Sequence, residues 1–172
     1  MREIELAEFE QIMRAVGVRG KLRKELRWTP DSYELYGERE LLAVSHRGGR
    51  NGLLLIDIDA NLYGAPYELL PGIRDAGGRS KPVICDFCYT WQRGSNIGRI
   101  TFRLEENRTV TFICCADLQC SLHVRNLTPA SLLSRTQLRE DITPERRIVR
   151  LRAKLESLAA ALGLQPTAGV KP

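Results

Sequence analysis

The sequence predicts an α+β fold in two parts, on three observations: helical amphipathic spacing near both ends, two pairs of short apolar runs each joined by a turn, and two close cysteine pairs in the second half. The expected plan is a mixed helix and hairpin region over residues 1–80. A cysteine-bearing module with a final amphipathic helix follows over residues 81–172.

The first segment, Glu3 to Val16, places Ile4, Leu6, Phe9, Ile12, Met13 and Val16 at three- and four-residue spacing, which predicts a helix ending near Gly17. A basic loop is expected after it. Beyond the turn signal Thr29-Pro30-Asp31, ELLAVSH and GLLLIDID read as strands, and the intervening RGGRN supplies the glycines and asparagine of a hairpin. PYELLPGIRD, Pro66 to Asp75, reads as a short helical turn interrupted at Pro71. Ala76 to Ser80 reads as a linker and marks the expected domain boundary.

In the second half, RITFRL and TVTFIC alternate in the manner of half-buried strands, and Glu105 to Arg108 between them predicts a second hairpin. Leu118 to Arg125 contains no breaker and reads as a short helix beginning around the last cysteine. Thr143-Pro144-Glu145 is a helix-start signal, and Ile148, Leu151, Leu155, Leu158 and Leu162 continue the stripe to Gly163. Arg146, Arg147, Arg150 and Lys154 are expected to point away from that stripe, and the tail QPTAGVKP to fray.

Composition narrows the class. Hydrophobic residues make up 43% and charged residues 27%, a globular balance that excludes a disordered chain. No apolar run reaches the roughly 18 residues of a membrane span, and the acidic start MREIELAEFEQ lacks a signal-peptide layout, so a soluble cytoplasmic protein is expected. The net charge of +5 is uneven, with acidic residues in the first helix and basic ones in ERRIVRLRAK, which favours acidic partners such as nucleic acid, the ribosome surface or acidic protein faces.

Five cysteines, an odd number in a chain read as intracellular, argue against a disulfide framework. The spacing Cys85-x-x-Cys88, then Cys115-x4-Cys120 after a hairpin, suits one zinc ion: four thiolates fill its tetrahedral shell and leave no position for water, so the ion is structural. The first pair forms a knuckle, and the second takes one sulfur from a strand end and one from a helix start, where the helix dipole stabilises the thiolate. Order and spacing are those of a treble clef. A redox role for Cys85-Asp86-Phe87-Cys88 needs a long helix directly after the pair, where TWQRGSN instead reads as loop. Cys114 competes with Cys115 as third ligand, but strand alternation places Cys114 with Val110 and Phe112 on the core side. His123, three residues past Cys120, is expected at the surface or beside the site rather than as a ligand. Asp57 and Asp59 share the polar face of a strand and read as solvated. The chain carries no phosphate loop, nucleophile elbow or H-E-x-x-H, and a non-enzymatic protein is expected.

CDFC, the hairpin, and then CADLQCSLHVR together resemble the C-terminal treble-clef zinc-finger domain of the FBP family, over about residues 83–162. That family includes the FusB-type fusidic-acid resistance proteins, which bind elongation factor G, and the C-A-D-L-x-C-S-L-x-V-R string looks like its actinobacterial members. The resemblance implies one zinc on Cys85, Cys88, Cys115 and Cys120, and a non-enzymatic adaptor that docks on elongation factor G and promotes its release from the ribosome. Phe87, Arg103, Arg108, Thr109 and Arg125 are the contacts expected of such a surface. Direct RNA or DNA binding by a basic treble clef is the competing expectation.

Overall fold

A computed structural model describes residues 1–18, 20–26, 28, 39–104, 108–138 and 141–167. The turn signal at residues 29–31, most of the second hairpin's turn and the last five residues lie outside them. Helices α1 (Leu6–Ala15) and α2 (Gly20–Glu25) precede strands β1 (Leu41–Ser45), β2 (Asn51–Ile58) and β3 (Asn61–Pro71). Short strands β4 (Val83–Ile84) and β5 (Trp91–Gln92) frame the first cysteine pair, and β6 (Ile97–Arg103) and β7 (Thr109–Cys115) form the second hairpin. Helices α3 (Cys120–Val124), α4 (Pro129–Leu138) and α5 (Pro144–Ala161) complete the order.

One antiparallel sheet, ordered β1-β2-β3-β6-β7, organises the molecule. Its centre is the 11-residue β3, which pairs with β2 through Asn61–Glu68 and with β6 from Tyr67 onward. The segment expected to form a helical turn is thus the end of β3. Its prolines are tolerated because Pro71 is the last residue of the strand and Pro66 precedes the first residue paired with β6. The sheet also runs through the boundary expected at residue 80: the linker is a loop leaving β3, and both parts of the chain contribute strands to one sheet. The segment after α1, read as a loop, contains α2.

The apolar run of β2 is explained by burial on both faces. Leu53 and Leu55 join Leu42 and Val44 of β1 against Phe9, Ile12 and Met13 of α1, while Leu54 and Ile56 face the layer made by the cysteine module and Leu151, Leu155 and Leu158 of α5. Helix α1 packs closely where β3 carries Gly64: a Cβ there would stand 2.8 Å from Val16 Cγ1, so a larger residue would push the helix off the sheet. The β2–β3 turn is made by Asp59 and Ala60, both at positive φ. Asp59 therefore lies in a turn, separated from the strand residue Asp57, whose carboxylate meets the Met1 amino group at 3.3 Å.

Helix α5 starts and stops as expected, with Pro144 in its first turn and Gly163 at φ 62° beyond its end. Arg147 does not point away. It is 1% exposed, begins the buried stripe four residues before Leu151, and donates from Nη1 to Asn126 Oδ1 at 2.6 Å. The tail is anchored as far as Thr167, whose N–H and hydroxyl both donate to Leu62 O at 2.7 Å. Among the described residues no helix is long and apolar enough to cross a membrane.

Candidate metal centre

The two cysteine pairs meet because the sheet delivers one and a turn delivers the other. Cys115 is the last residue of β7, held opposite Ile97 of β6. Cys120 opens α3, and the four-residue approach to it is set by Leu118, at φ 53°, whose N–H donates to Cys115 O at 3.0 Å. Cys85 and Cys88 flank a knuckle whose Tyr89 N–H returns to Cys85 O at 3.0 Å, with Tyr89 itself at φ 59°. Asp86 locks the knuckle onto β7: its N–H donates to Ile113 O at 2.9 Å and its Oδ2 accepts from Ile113 N–H at 2.7 Å.

All four sulfurs lie within 4.8 Å of one another in fully buried positions. Cys85 Sγ is 3.7 Å from Cys120 Sγ, and Cys88 Sγ is 3.6 Å from Cys115 Sγ. A tetrahedron with metal–sulfur bonds of about 2.3 Å has edges of about 3.8 Å, so the sulfurs already stand at the separations a zinc ion requires. Electrostatics agrees. The Cys120 thiol is pushed well above its ordinary range, first by its hydrogen bond to Cys115 and then by Cys85 and Cys88, while Cys88 is held low against its burial by hydrogen bonds from the other sulfurs. Four thiolates at this spacing need a dication to coexist. The donor set and its closed, dry surroundings fit one structural zinc.

Side chains around the sulfurs complete the centre. Thr90 Oγ1 is 3.2 Å from Cys88 Sγ, Gln92 Nε2 donates towards Cys115 Sγ at 3.8 Å, and His123 Nδ1 lies 3.8 Å from Cys88 Sγ. His123 is fully buried; although burial lowers its pKa, Asp117 and Cys88 outweigh that effect and raise it to about 9. Asp117 with His123 and Cys115 also forms a second close group of donor atoms, which shares Cys115 with the first. Cys114 stands apart. It lies fully buried in the apolar layer with Ile100, Phe102 and Phe87, and burial first, then the neighbouring sulfur charges, push its thiol far up, as befits an inert side chain.

The expected partner contacts divide. Arg103 and Thr109 close the β6–β7 ladder opposite each other, Arg108 adjoins them, and all three are exposed at the open end of the hairpin. Arg103 is 83% exposed and reaches Glu68 at 3.6 Å. Phe87 is buried, and Arg125 is only partly exposed. Phe87 is 2% exposed and packs on Phe112 with ring centroids 5.6 Å apart, because the knuckle folds its second inner residue onto the sheet. Arg125 turns inward to the buried Glu40. The sequence reading missed α4, although Thr128-Pro129 repeats the start signal of α5; Ser131 N–H donates to Thr128 Oγ1 at 3.2 Å as a helix cap.

Knuckle, hairpin and helix with four cysteines define a treble-clef zinc finger, here built into one edge of a five-stranded sheet. The family profile described as FBP C-terminal treble-clef zinc-finger matches residues 44–162, well over half the chain, and the chain belongs to that family. The match reaches back to β1, in keeping with a sheet that the expected boundary would have cut. Comparison with curated proteins and with solved structures finds no match.

Proposed function

We propose that this protein is a non-enzymatic cytoplasmic adaptor that binds the translational GTPase elongation factor G and modulates its release from the ribosome. The observation that carries this reading is the β6–β7 hairpin: the metal centre fixes its cysteine end, β3 fixes its flank, and its open end presents Arg103, Arg108 and Thr109 to solvent. A surface held rigid before contact loses less conformational freedom on binding, and exposed arginines supply long-range attraction to an acidic face. The resemblance of the CADLQCSLHVR string to the family that includes the FusB-type proteins suggests the partner.

Calorimetric titration of the zinc-loaded protein with elongation factor G tests the proposal. Binding in a one-to-one ratio is expected, with Arg103→Glu plus Arg108→Glu weakening it by about tenfold or more without loss of zinc, since close charge pairs at interfaces contribute about 1.5 kcal/mol upward. Absence of binding, or binding that the double substitution leaves unchanged, contradicts it.

A further inference from the structure

A cleft of about 570 Å³ opens beside the metal centre, within the range of small-ligand sites. Its lining combines apolar residues, Trp91, Pro129 and Leu133, with the polar Arg93, Asn96, Asp117 and Gln119. Two anomalies of the fold converge there. Helix α4 is inside out: it buries Ser131 and Ser134, the latter accepting from Trp91 N–H at 2.7 Å, and leaves Leu132 and Leu133 each 54% exposed. His123 is the second. It is fully buried yet lines the cleft, and its Nε2 makes no hydrogen bond although it lies 3.4 Å from Asp117 Oδ2. The pairing of His123 with Asp117 is therefore long and poorly aligned, and a polar ligand group entering the cleft would complete it.

We infer that this cleft binds an unpaired RNA nucleotide, with guanine as the preferred base. Trp91 and Leu133 offer the aromatic and apolar wall on which a splayed base stacks, a contribution of about 1–3 kcal/mol per base. Arg93 supplies a cation for the phosphate, in a chain whose net charge of +5 favours polyanions. Asp117 chooses the base. Its side chain is 45% exposed; its carboxylate only accepts hydrogen bonds and keeps lone pairs beyond the Gln119 N–H that Oδ1 takes at 3.1 Å, and guanine presents two adjacent donors, its ring N–H and its amino group, on one edge. Uracil offers the same carboxylate a single ring N–H flanked by two carbonyl oxygens, so it cannot make the paired contact. The amides of Asn96 and Gln119 provide donors for the carbonyl oxygen of guanine. An apolar peptide side chain would satisfy Trp91 and Leu133 and leave the polar lining unanswered. This inference stands apart from elongation factor G, because the cleft and the hairpin contacts share no residue.

The chain has two tryptophans, so Trp28→Phe leaves Trp91 as the sole tryptophan, read by selective excitation above the tyrosine band. Zinc-loaded protein carrying that substitution is titrated with guanosine monophosphate, uridine monophosphate and the pentaribonucleotides UUGUU and UUUUU. Saturable quenching is expected, about tenfold tighter for the guanine member of each pair, the discrimination of one good bidentate contact. Asp117→Asn, with zinc content measured alongside, is expected to remove the preference and leave stacking. Arg103→Glu plus Arg108→Glu is expected to leave nucleotide binding unchanged, which separates failure here from failure of the adaptor reading. No saturable signal, equal affinity for the two mononucleotides, or a guanine preference that survives Asp117→Asn overturns the inference.

Discussion

Glu40 and Arg125 form a two-pronged ion pair, with Arg125 Nη2 2.6 Å from Glu40 Oε1 and Nη1 2.8 Å from Oε2, that ties the residue before β1 to the turn after α3. Ser121 reinforces the junction by accepting from the N–H groups of Glu40 and Leu41 at 2.9 and 3.1 Å. The helix that carries the fourth cysteine is thereby fastened to the far edge strand of the sheet. An arginine expected to meet a partner instead holds the metal module on its scaffold.

Removing Arg125 leaves the buried Glu40 with the more distant Arg152, whose Nη2 stands 3.6 Å from Oε1 on a side chain 61% exposed. Arg125→Ala is expected to destabilise the protein by about 3–5 kcal/mol in urea denaturation, because Glu40 is 3% exposed. Arg125→Met combined with Glu40→Leu, which removes both charges, is expected to cost much less.

The same pair sets an acid limit. Burial opposes ionisation of Glu40, but the hydrogen bonds and charge of Arg125 prevail and hold it below its ordinary value of 4.5. Its contribution is therefore fully present above pH 4.5 and lost as pH falls through the lower, folded value. Denaturation midpoints measured downward from pH 6 should fall more steeply for the native protein than for the Arg125→Met, Glu40→Leu variant.

Helix α5 depends on its inner stripe rather than on its length. Leu155 is fully buried between α5 and the sheet, so Leu155→Ala is expected to cost about 2–5 kcal/mol. Val149, on the same helix but 65% exposed, is the control: Val149→Ala should change stability by about 0.5 kcal/mol or less.

Two threonines open helices in the same sequence context and differ in structure. Thr128 Oγ1 accepts from Ser131 N–H, whereas Thr143 makes no such bond to its helix. Thr128→Ala is expected to destabilise by about 1 kcal/mol and Thr143→Ala by less, measured by thermal denaturation.

These contrasts show what the residues disclosed and what they hid. The cysteine spacing, the alternation that separates Cys114 from Cys115, and the threonine-proline start of α5 are local signals, and each has its expected place in the structure. Helix α4 carries the same start signal but buries serines and exposes leucines, so its apolar spacing argues against the face it uses. β3 was hidden by Pro66 and Pro71, which interrupt a strand pattern although both sit in the sheet, Pro66 opposite Leu53 and Pro71 opposite Gly98. Phe87, Arg125 and Arg147 were assigned to the surface because nothing in their neighbours reveals the sheet, the carboxylate or the asparagine that each meets on folding. The shared sheet itself is a long-range pairing of β3 with β6, across a loop whose composition reads as a linker.

The account rests on one zinc held by Cys85, Cys88, Cys115 and Cys120, with Cys114 outside it, and structural zinc in such modules contributes on the order of 10 kcal/mol to folding. Native mass spectrometry of the protein and its single cysteine-to-serine variants tests this most directly. One zinc per chain is expected in the native protein and in Cys114→Ser, and none in Cys85→Ser or Cys115→Ser. Loss of the ion from Cys114→Ser with its retention in Cys115→Ser would contradict the assignment.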